Sequence, residues 1–494
     1  MASLTLFLSL QVAIASTVTH GLNEVTEKSI TVYPRVLESR EDDSEKVLIV
    51  HDGYSLHLKK ASILARRLLL RDVTKDGVIE QYVDGTHYER HLYEDTNKKA
   101  SLLLKPTEHG DYSITGLVNF THRIEPAKLR ERSSSRRAAH KIVQIHEIQG
   151  SCESDQAIDD QLYELDGSGM KSDTRQASLP EVEMRGAIAQ AFGVELHFIS
   201  DYNHTKYFEG DKDAHTYYVT LFLHSVSLRM DQLTPPVPIG ITEIQTTSTD
   251  NESYVHLWDN GDLIGNETLK VLNEVVRTDR AYEKADAVYM ATGREMITLI
   301  PGGKSSYILG TAGSAQACTN TKAAVGEDKP GKFSGVNTAA HEIGHLLGSP
   351  DDSKGEWGDC KTEDGYLMSK YAHGKQAFTF SNCSKNAIAK FLESTTSDCL
   401  RKKTNCQILS FPNKALKLPG HAMSGDAYCK LFYSGFPRAF FLEQFYAFLK
   451  KCKIPCLVED KRTKKPRFLT TLAPDGTRCD QHDRRRVCKN TICV

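Results

Sequence analysis

Residues 341 to 352 read HEIGHLLGSPDD. His341 and His345 stand four apart, so on a helix they share one face and turn two imidazole nitrogens toward one metal ion. Glu342 projects beside them, placed to take a proton from a water molecule that attacks a polarised carbonyl. The chemistry these residue types offer is metal-assisted hydrolysis, with Zn2+ as the ion. Val336, Ala339, Ala340, Ile343, Leu346 and Leu347 supply the opposite, core-facing stripe. Gly348 predicts a tight, left-handed exit from the helix, and Ser349-Pro350 prevents its resumption, which returns the chain toward the metal. A third ligand is expected there, at Asp351, with Asp352 next to it as the alternative. Two histidines and a glutamate at this spacing also occur as a salt-bridged surface pattern in unrelated helices. Gly348, the acidic pair and a methionine, Met368 within DGYLMSK, favour the metal site.

Such a helix needs a sheet to hold it. From about Gly193, strands and helices alternate: VELHFISDY extended, AHTYYVTLFLHSVSLRMDQL helical, IGITEIQTT extended, NETLKVLNEVVRTDRAYEKA helical, DAVYMATG extended. SYILGTAG reads as an edge strand, and a helix from about Ser334 to Leu347 follows the loop through Cys318. This order is α/β. Upstream, residues 30 to 124 read as short alternating strands, among them KVLIVHDGYSLHLKK and DYSITGLVNFTHRI, and predict a β-rich unit. Between the two lies KLRERSSSRRAAHK, residues 128 to 141, without apolar periodicity. Its Arg136-Arg137 pair is either a processing site or part of a solvated basic loop.

A chain of 494 residues is too long for one core and predicts two or three domains. With 39% hydrophobic and 26% charged residues it falls among ordinary globular proteins and outside the disordered and membrane-spanning classes. The opening run LTLFLSLQVAIA, ending in Ala13-Ile14-Ala15, reads as a secretory leader over residues 1 to 15, although no basic residue precedes it. No later stretch is long and apolar enough to span a bilayer. Of 12 cysteines, 11 lie from Cys318 onward, an arrangement suited to disulfides in an oxidising compartment. Asn119, Asn203, Asn251 and Asn266 each open an N-x-[ST] triplet and are candidate glycosylation sites; Asn382 ranks below them because Cys383 sits in its triplet. The net charge of -2 conceals a basic C-terminal segment, with 20 Lys and Arg against 7 Asp and Glu from Arg401 onward. KRTKKPR and DRRR could hold sulfated polysaccharide or acidic matrix, or simply form a solvated face. No nucleic-acid motif accompanies them.

The HEIGHLLGSPDD segment and Met368 resemble the reprolysin branch of metzincin zinc proteases, and most closely the secreted salivary metalloproteases of ticks. The likeness extends upstream through LIVHDGYSLHLKK, RHLYED and YSITGLVNFTHRIEP, to the strand ADAVYMATGRE, and downstream to APDGTRCDQHDRRRVCKNTICV. It implies a signal peptide (1–15), a β-rich propeptide (16–185), a metzincin catalytic domain (186–402) with a mixed twisted sheet and an active-site helix, and a small disulfide-rich tail (403–494). It further implies disulfides Cys318-Cys399 and Cys360-Cys383, a structural Met368 beneath the zinc, and substrate pairing along SYILGTAG. The implied activity is a secreted zinc endopeptidase that hydrolyses extracellular proteins, with Glu342 as general base and acid.

One position departs from the pattern: Asp351 stands where the family has its third histidine, with Asp352 at the place of the aspartate that follows. A His/His/carboxylate set supports hydrolysis, but the anionic ligand should leave a metal-bound water less acidic. The alternative is a catalytically weak relative acting as a binding protein through its tail. Cys152, in GSCESDQ, lacks the family's usual switch surroundings; it either caps the zinc in a silent precursor or pairs with a tail cysteine.

Overall fold

Alternating apolar residues in the first part of the chain build an antiparallel sheet of nine strands, from Ser29–Val32 at one edge to Arg35–Glu38 at the other. Leu48, Val50, Leu56, Leu58, Leu102 and Leu104 point to one side and form its core, as the two-residue period of a half-buried strand requires. In the computed structural model the described residues are 29–38, 45–108, 110–127, 138–145, 151–154, 192–300, 304–355, 357–401, 424–433, 436–460, 463–473, 477–481, 483, 485–489 and 492–494. The expected leader (1–15) and the Arg136-Arg137 pair lie outside them.

The second sheet carries the site. Val194–Ser200, Ile239–Thr247, Ala287–Thr292 and Ala323–Glu327 run parallel, and Lys304–Ala312 runs antiparallel against the last of these. Two helices cover one face. Lys212–Met230 is buried along most of its length through Leu221, Phe222, Val226 and Met230, and Val336–Leu346 packs beside it. Gly265–Thr278 covers the other face with a single buried stripe, Leu269, Leu272 and Val276. A helix apolar all round is sandwiched; one with a stripe is a surface helix. The long helix expected from Asn266 to Ala285 stops at Thr278, because the Asp279 side chain accepts from Ala281 N (2.9 Å) and starts a separate 3-10 turn over Arg280–Tyr282.

Two connections cross between the units. The hairpin Leu64–Thr74 and Gly77–Asp84 leaves the β-rich unit and extends the second sheet, Leu64–Thr74 lying parallel to Ile239–Thr247. Leu64 and Leu68 are buried in the core beneath, Arg71 bonds Asp279 at 2.8 Å, and Tyr88 donates to Asp213 at 2.8 Å. The second connection is Ser151–Ser154, which lies parallel to Lys304–Ala312 from Ile308 to Ala312. SYILGTAG is therefore not a free edge in this chain. Its first half pairs with Met296–Ile300, its second half with Ala323–Glu327, and the remaining side of 308–312 is taken by 151–154.

The tail is a three-stranded antiparallel sheet, Ala439–Phe441, Lys453–Glu459 and Pro466–Leu472, tied by Cys429–Cys456, Cys452–Cys488 and Cys479–Cys493. Its core is small and cysteine-rich, the usual condition for a module that needs covalent ties. Cys406 lies outside the described residues. Among the described residues no helix is long and apolar enough to cross a membrane.

Candidate metal centre

The helix Val336–Leu346 is fixed at both ends by groups distant from it. Gly335 N at its start donates to Asp328 Oδ1 (2.8 Å), and Asp328 Oδ2 accepts from Tyr218 OH (2.6 Å) and contacts His204 Nε2 (3.1 Å). This buried carboxylate caps the positive end of the helix and ties it to Lys212–Met230. At the other end Gly348 has φ +95°, and a Cβ there would meet Phe391 Cβ at 2.7 Å, so both conformation and space require glycine. The turn is closed by Ser349 N to Gly344 O at 3.0 Å.

That turn brings Asp351 back over the histidines. Asp351 Oδ1 lies 3.3 Å from His341 Nε2 and 3.5 Å from His345 Nε2. Ligand atoms at about 2.0–2.1 Å from one tetrahedral zinc ion are separated from each other by about 3.3 Å, so both carboxylate-to-imidazole spacings match that tetrahedron's edges, and all three atoms lie within 4.8 Å of one another. His341 Nδ1 donates to Leu367 O and His345 Nδ1 to Ser349 O, both at 2.7 Å. These bonds lock both rings with Nε2 as the free lone pair. The two Nε2 atoms and Asp351 Oδ1 are buried and none makes a hydrogen bond. Three orphaned acceptors converging on one point fit a cation.

The electrostatics agree. Burial opposes charge on His341, but the Asp351 carboxylate and then Glu342 outweigh it and raise its pKa to about 9. Burial, followed by the neighbouring His341, lowers His345 to about 4. Burial would lift Asp351, yet His341 and His345 hold its pKa below the ordinary carboxylate value.

Asp352 does something else. It is 2% exposed, and its Oδ1 accepts from Ser381 Oγ (2.5 Å) and Ser384 Oγ (2.8 Å), away from the histidines. Its amide donates to Met368 O at 2.8 Å, and its carbonyl accepts from Thr362 OH at 2.7 Å. Asp352 thus tethers the ligand loop to the methionine turn. Met368 is fully buried, and its Sδ would lie 2.6 Å from a Cβ on Gly344, between the two histidines along the helix. Cys318–Cys399 and Cys360–Cys383 are joined. The first closes 81 residues, a constraint worth about 4.5 kcal/mol of unfolded-chain entropy.

Glu342 is fully buried and abuts Lys304–Ala312 at Gly310, where a Cβ would lie 2.6 Å from Glu342 Oε1 and 2.8 Å from Thr338 Cγ2. A glycine here lets the strand backbone lie directly over the Glu342 carboxylate. Gly310→Ala is expected to lower peptide hydrolysis about 10²-fold by displacing that carboxylate, while costing only about 1–3 kcal/mol of stability. Steady-state kinetics and thermal melting separate the two effects. Cys152 is the register partner of Gly310. Of the glycosylation candidates, Asn251 is exposed, Asn119 and Asn203 are half-buried, and Asn266 opens the first turn of Gly265–Thr278 with its Oδ1 buried.

Sequence reasoning passed over three features that shape this centre: the Asp328 cap, the hairpin that extends the sheet, and the pairing of Ser151–Ser154 over Gly310. None has a local signal in the sequence, because each joins residues far apart in the chain or outside the usual capping window.

Residues 254–404 match the family model described as Reprolysin (M12B) family zinc metalloprotease. The venom metalloproteinase BumaMPs1 of Olivierus martensii is 26% identical over 326 residues, 64% of this chain and 78% of that protein. A venom metalloproteinase antarease of Tityus serrulatus is 26% identical over 403 residues, covering 75% of this chain and 92% of its own length. A protein of Bombyx mori described as a disintegrin and metalloproteinase with thrombospondin motifs like is 36% identical over 139 residues, 24% of this chain and 19% of that one.

Proposed function

We propose, from the premise that the chain is a reprolysin-type metzincin metalloendopeptidase, that it is a secreted precursor hydrolysing extracellular proteins with zinc held by His341, His345 and Asp351. The observation that carries this is the convergence of three orphaned buried ligand atoms within 4.8 Å of one another, with Asp351 Oδ1 at tetrahedral-edge distance from both imidazoles, beside Glu342. Zinc, when bound, supplies a Lewis acid that polarises a carbonyl and makes water nucleophilic near neutral pH. The chain supplies the rest. Glu342 takes the proton of the attacking water and hands it to the departing amine nitrogen. Leu367 O and Ser349 O keep both imidazoles from rotating. Residues 308–312 offer extended peptide a row of backbone groups, so that affinity comes from the main chain and preference from pockets. Export is supported by the five disulfides among the described residues and by venom relatives.

The precursor reading rests on Ser151–Ser154. This strand fills the row of backbone groups that substrate needs, with Cys152 opposite the glycine that lies over Glu342. That register supports Cys152 as a switch thiol competing for the open ligand position. It also determines which cut activates. The segment 128–137 joins His122–Pro126 to His140–Gln144, and these two strands pair with each other, while His140–Gln144 also pairs with Ser29–Val32. A protease site engineered into 128–137 and cut is therefore expected to leave the halves associated on gel filtration and the peptidase suppressed. Activity appears only when residues 151–154 are removed. Full activity after the linker cut alone would overturn the precursor reading without touching the metal site.

A further inference from the structure

The tail presents a surface that neither the metal centre nor the disulfide core uses. Phe440 stands opposite Leu457, and Leu457 opposite Phe468. Directly opposed residues project to the same side of a sheet, so the three form one apolar row across all three strands. The adjoining rows point the other way: Ala439 with Val458, and Phe441 with Cys456, pack into the core around the disulfides. Phe440 is 46% exposed and Phe468 42%. Phe445 (43% exposed) and Phe448 extend the row, each with its ring centroid 5.3 Å from that of Phe468. Together they expose on the order of 300 Å² of apolar surface, the size at which a patch on a soluble domain usually has a use.

The charge beside this patch is predominantly positive, with Glu443, Glu459 and Asp460 as the acidic groups near it. Lys450 and Lys451 follow Phe448 within three residues, Lys453 shares the face of Leu457, and Lys465 precedes the strand of Phe468. Among the described residues none of these four lysines has a carboxylate partner, whereas Arg438 and Lys464 pair with Glu459, and Arg467 with Asp460. Phenylalanine rings offer a ligand no hydrogen bond, so what covers them must itself be apolar; a sulfated polysaccharide answers the lysines but not the rings. A protein partner normally meets a rim poor in lysine. An anionic bilayer answers both demands, with hydrocarbon at shallow depth and negative headgroups above it.

We propose that the Phe440–Leu457–Phe468 row, with Phe445, Phe448 and its lysine rim, docks this protein on an anionic lipid surface. The rings enter the headgroup boundary while the lysine stems lie along it and keep their ammonium groups at the phosphates. Proteolysis would thereby be concentrated on proteins displayed at such a surface.

The test uses the full chain, sedimented with vesicles of phosphatidylcholine alone or mixed with phosphatidylserine. Binding to the mixed vesicles is expected, weakened about tenfold or more without phosphatidylserine and by high salt. Phe440→Ser with Phe468→Ser should lower it about tenfold at unchanged near-ultraviolet circular dichroism. Lys450→Gln with Lys451→Gln and Lys453→Gln, all on exposed positions that folding does not use, should lower binding and flatten its salt dependence. Cleavage of a soluble denatured protein by the processed variants should be unchanged. The proposal fails if the protein does not sediment with the mixed vesicles, if it sediments equally without phosphatidylserine, or if the phenylalanine pair makes no difference. It also fails if these variants affect only retention on immobilised heparin, or capture of a soluble protein. These outcomes are independent of the metal centre.

Discussion

Glu342→Gln in the processed protein should abolish cleavage of a denatured protein substrate while the variant still carries one zinc per chain. The substitution keeps size and hydrogen bonding but removes the only group placed to accept a proton, and general-base catalysis of this kind is worth about 10² to 10⁴ in rate. Zinc should remain because the three converging atoms belong to His341, His345 and Asp351, with Glu342 turned to Gly310 instead. Metal analysis beside a gel-based proteolysis assay reads both. The outcome also decides between the enzyme and a scaffold that only binds. Should the wild-type protein, freed of residues 151–154 and loaded with zinc, cleave nothing, the catalytic reading is lost whatever the variant does.

The helix Val336–Leu346 was readable because its information is local. Four-residue spacing places His341 and His345 on one face, the intervening apolar residues define the other, and Gly348 ends the helix. All of that is backbone geometry acting within two or three turns. The β-rich unit was readable for the same reason through KVLIVHDGYSLHLKK, which forms the hairpin Glu45–His51 and Tyr54–Lys60. Leu64–Thr74 was not. Its sequence LARRLLLRDVT has no clean alternation, since Arg66 and Arg67 are exposed together and Leu68 and Leu69 buried together. It pairs on one side with Gly77–Asp84 and on the other with Ile239–Thr247, far along the chain, and its buried leucines join the core that Ile241 belongs to. Asp328 was missed because a capping side chain is sought next to the helix start, and this one acts from seven residues upstream by folding back. The consequence for function is largest at Ser151–Ser154. Four residues with no strand signal of their own pair along 308–312 because a row of backbone groups there is open to receive them.

The acidic pair gives the second large effect, because two adjacent aspartates of one sequence do different physical work. Asp351→Ala removes the only carboxylate oxygen that, among the described residues, lies within reach of both imidazoles, so zinc affinity should fall at least about 10²-fold, more than loss of a supporting hydrogen bond would cost. Its thermal stability without metal should change less than that of Asp352→Ala, since the side chain is partly exposed and its close ion pairs are with the ligand histidines. Asp352→Ala should behave in the opposite way. It leaves Ser381 and Ser384 hydroxyls without their acceptor in a buried site, a loss of about 1–3 kcal/mol. The zinc-binding atoms stay where they are, held by the backbone bond from residue 352 to Met368 O. Asp351→His replaces the anionic ligand with a third imidazole and should keep the metal, which shows that the position rather than the aspartate is what the helix exit was built to deliver. Titration with a zinc chelator and metal-free melting, run on the three variants together, separates ligand from tether. Zinc lost in Asp352→Ala and kept in Asp351→Ala would reverse the assignment and move the third ligand one residue along.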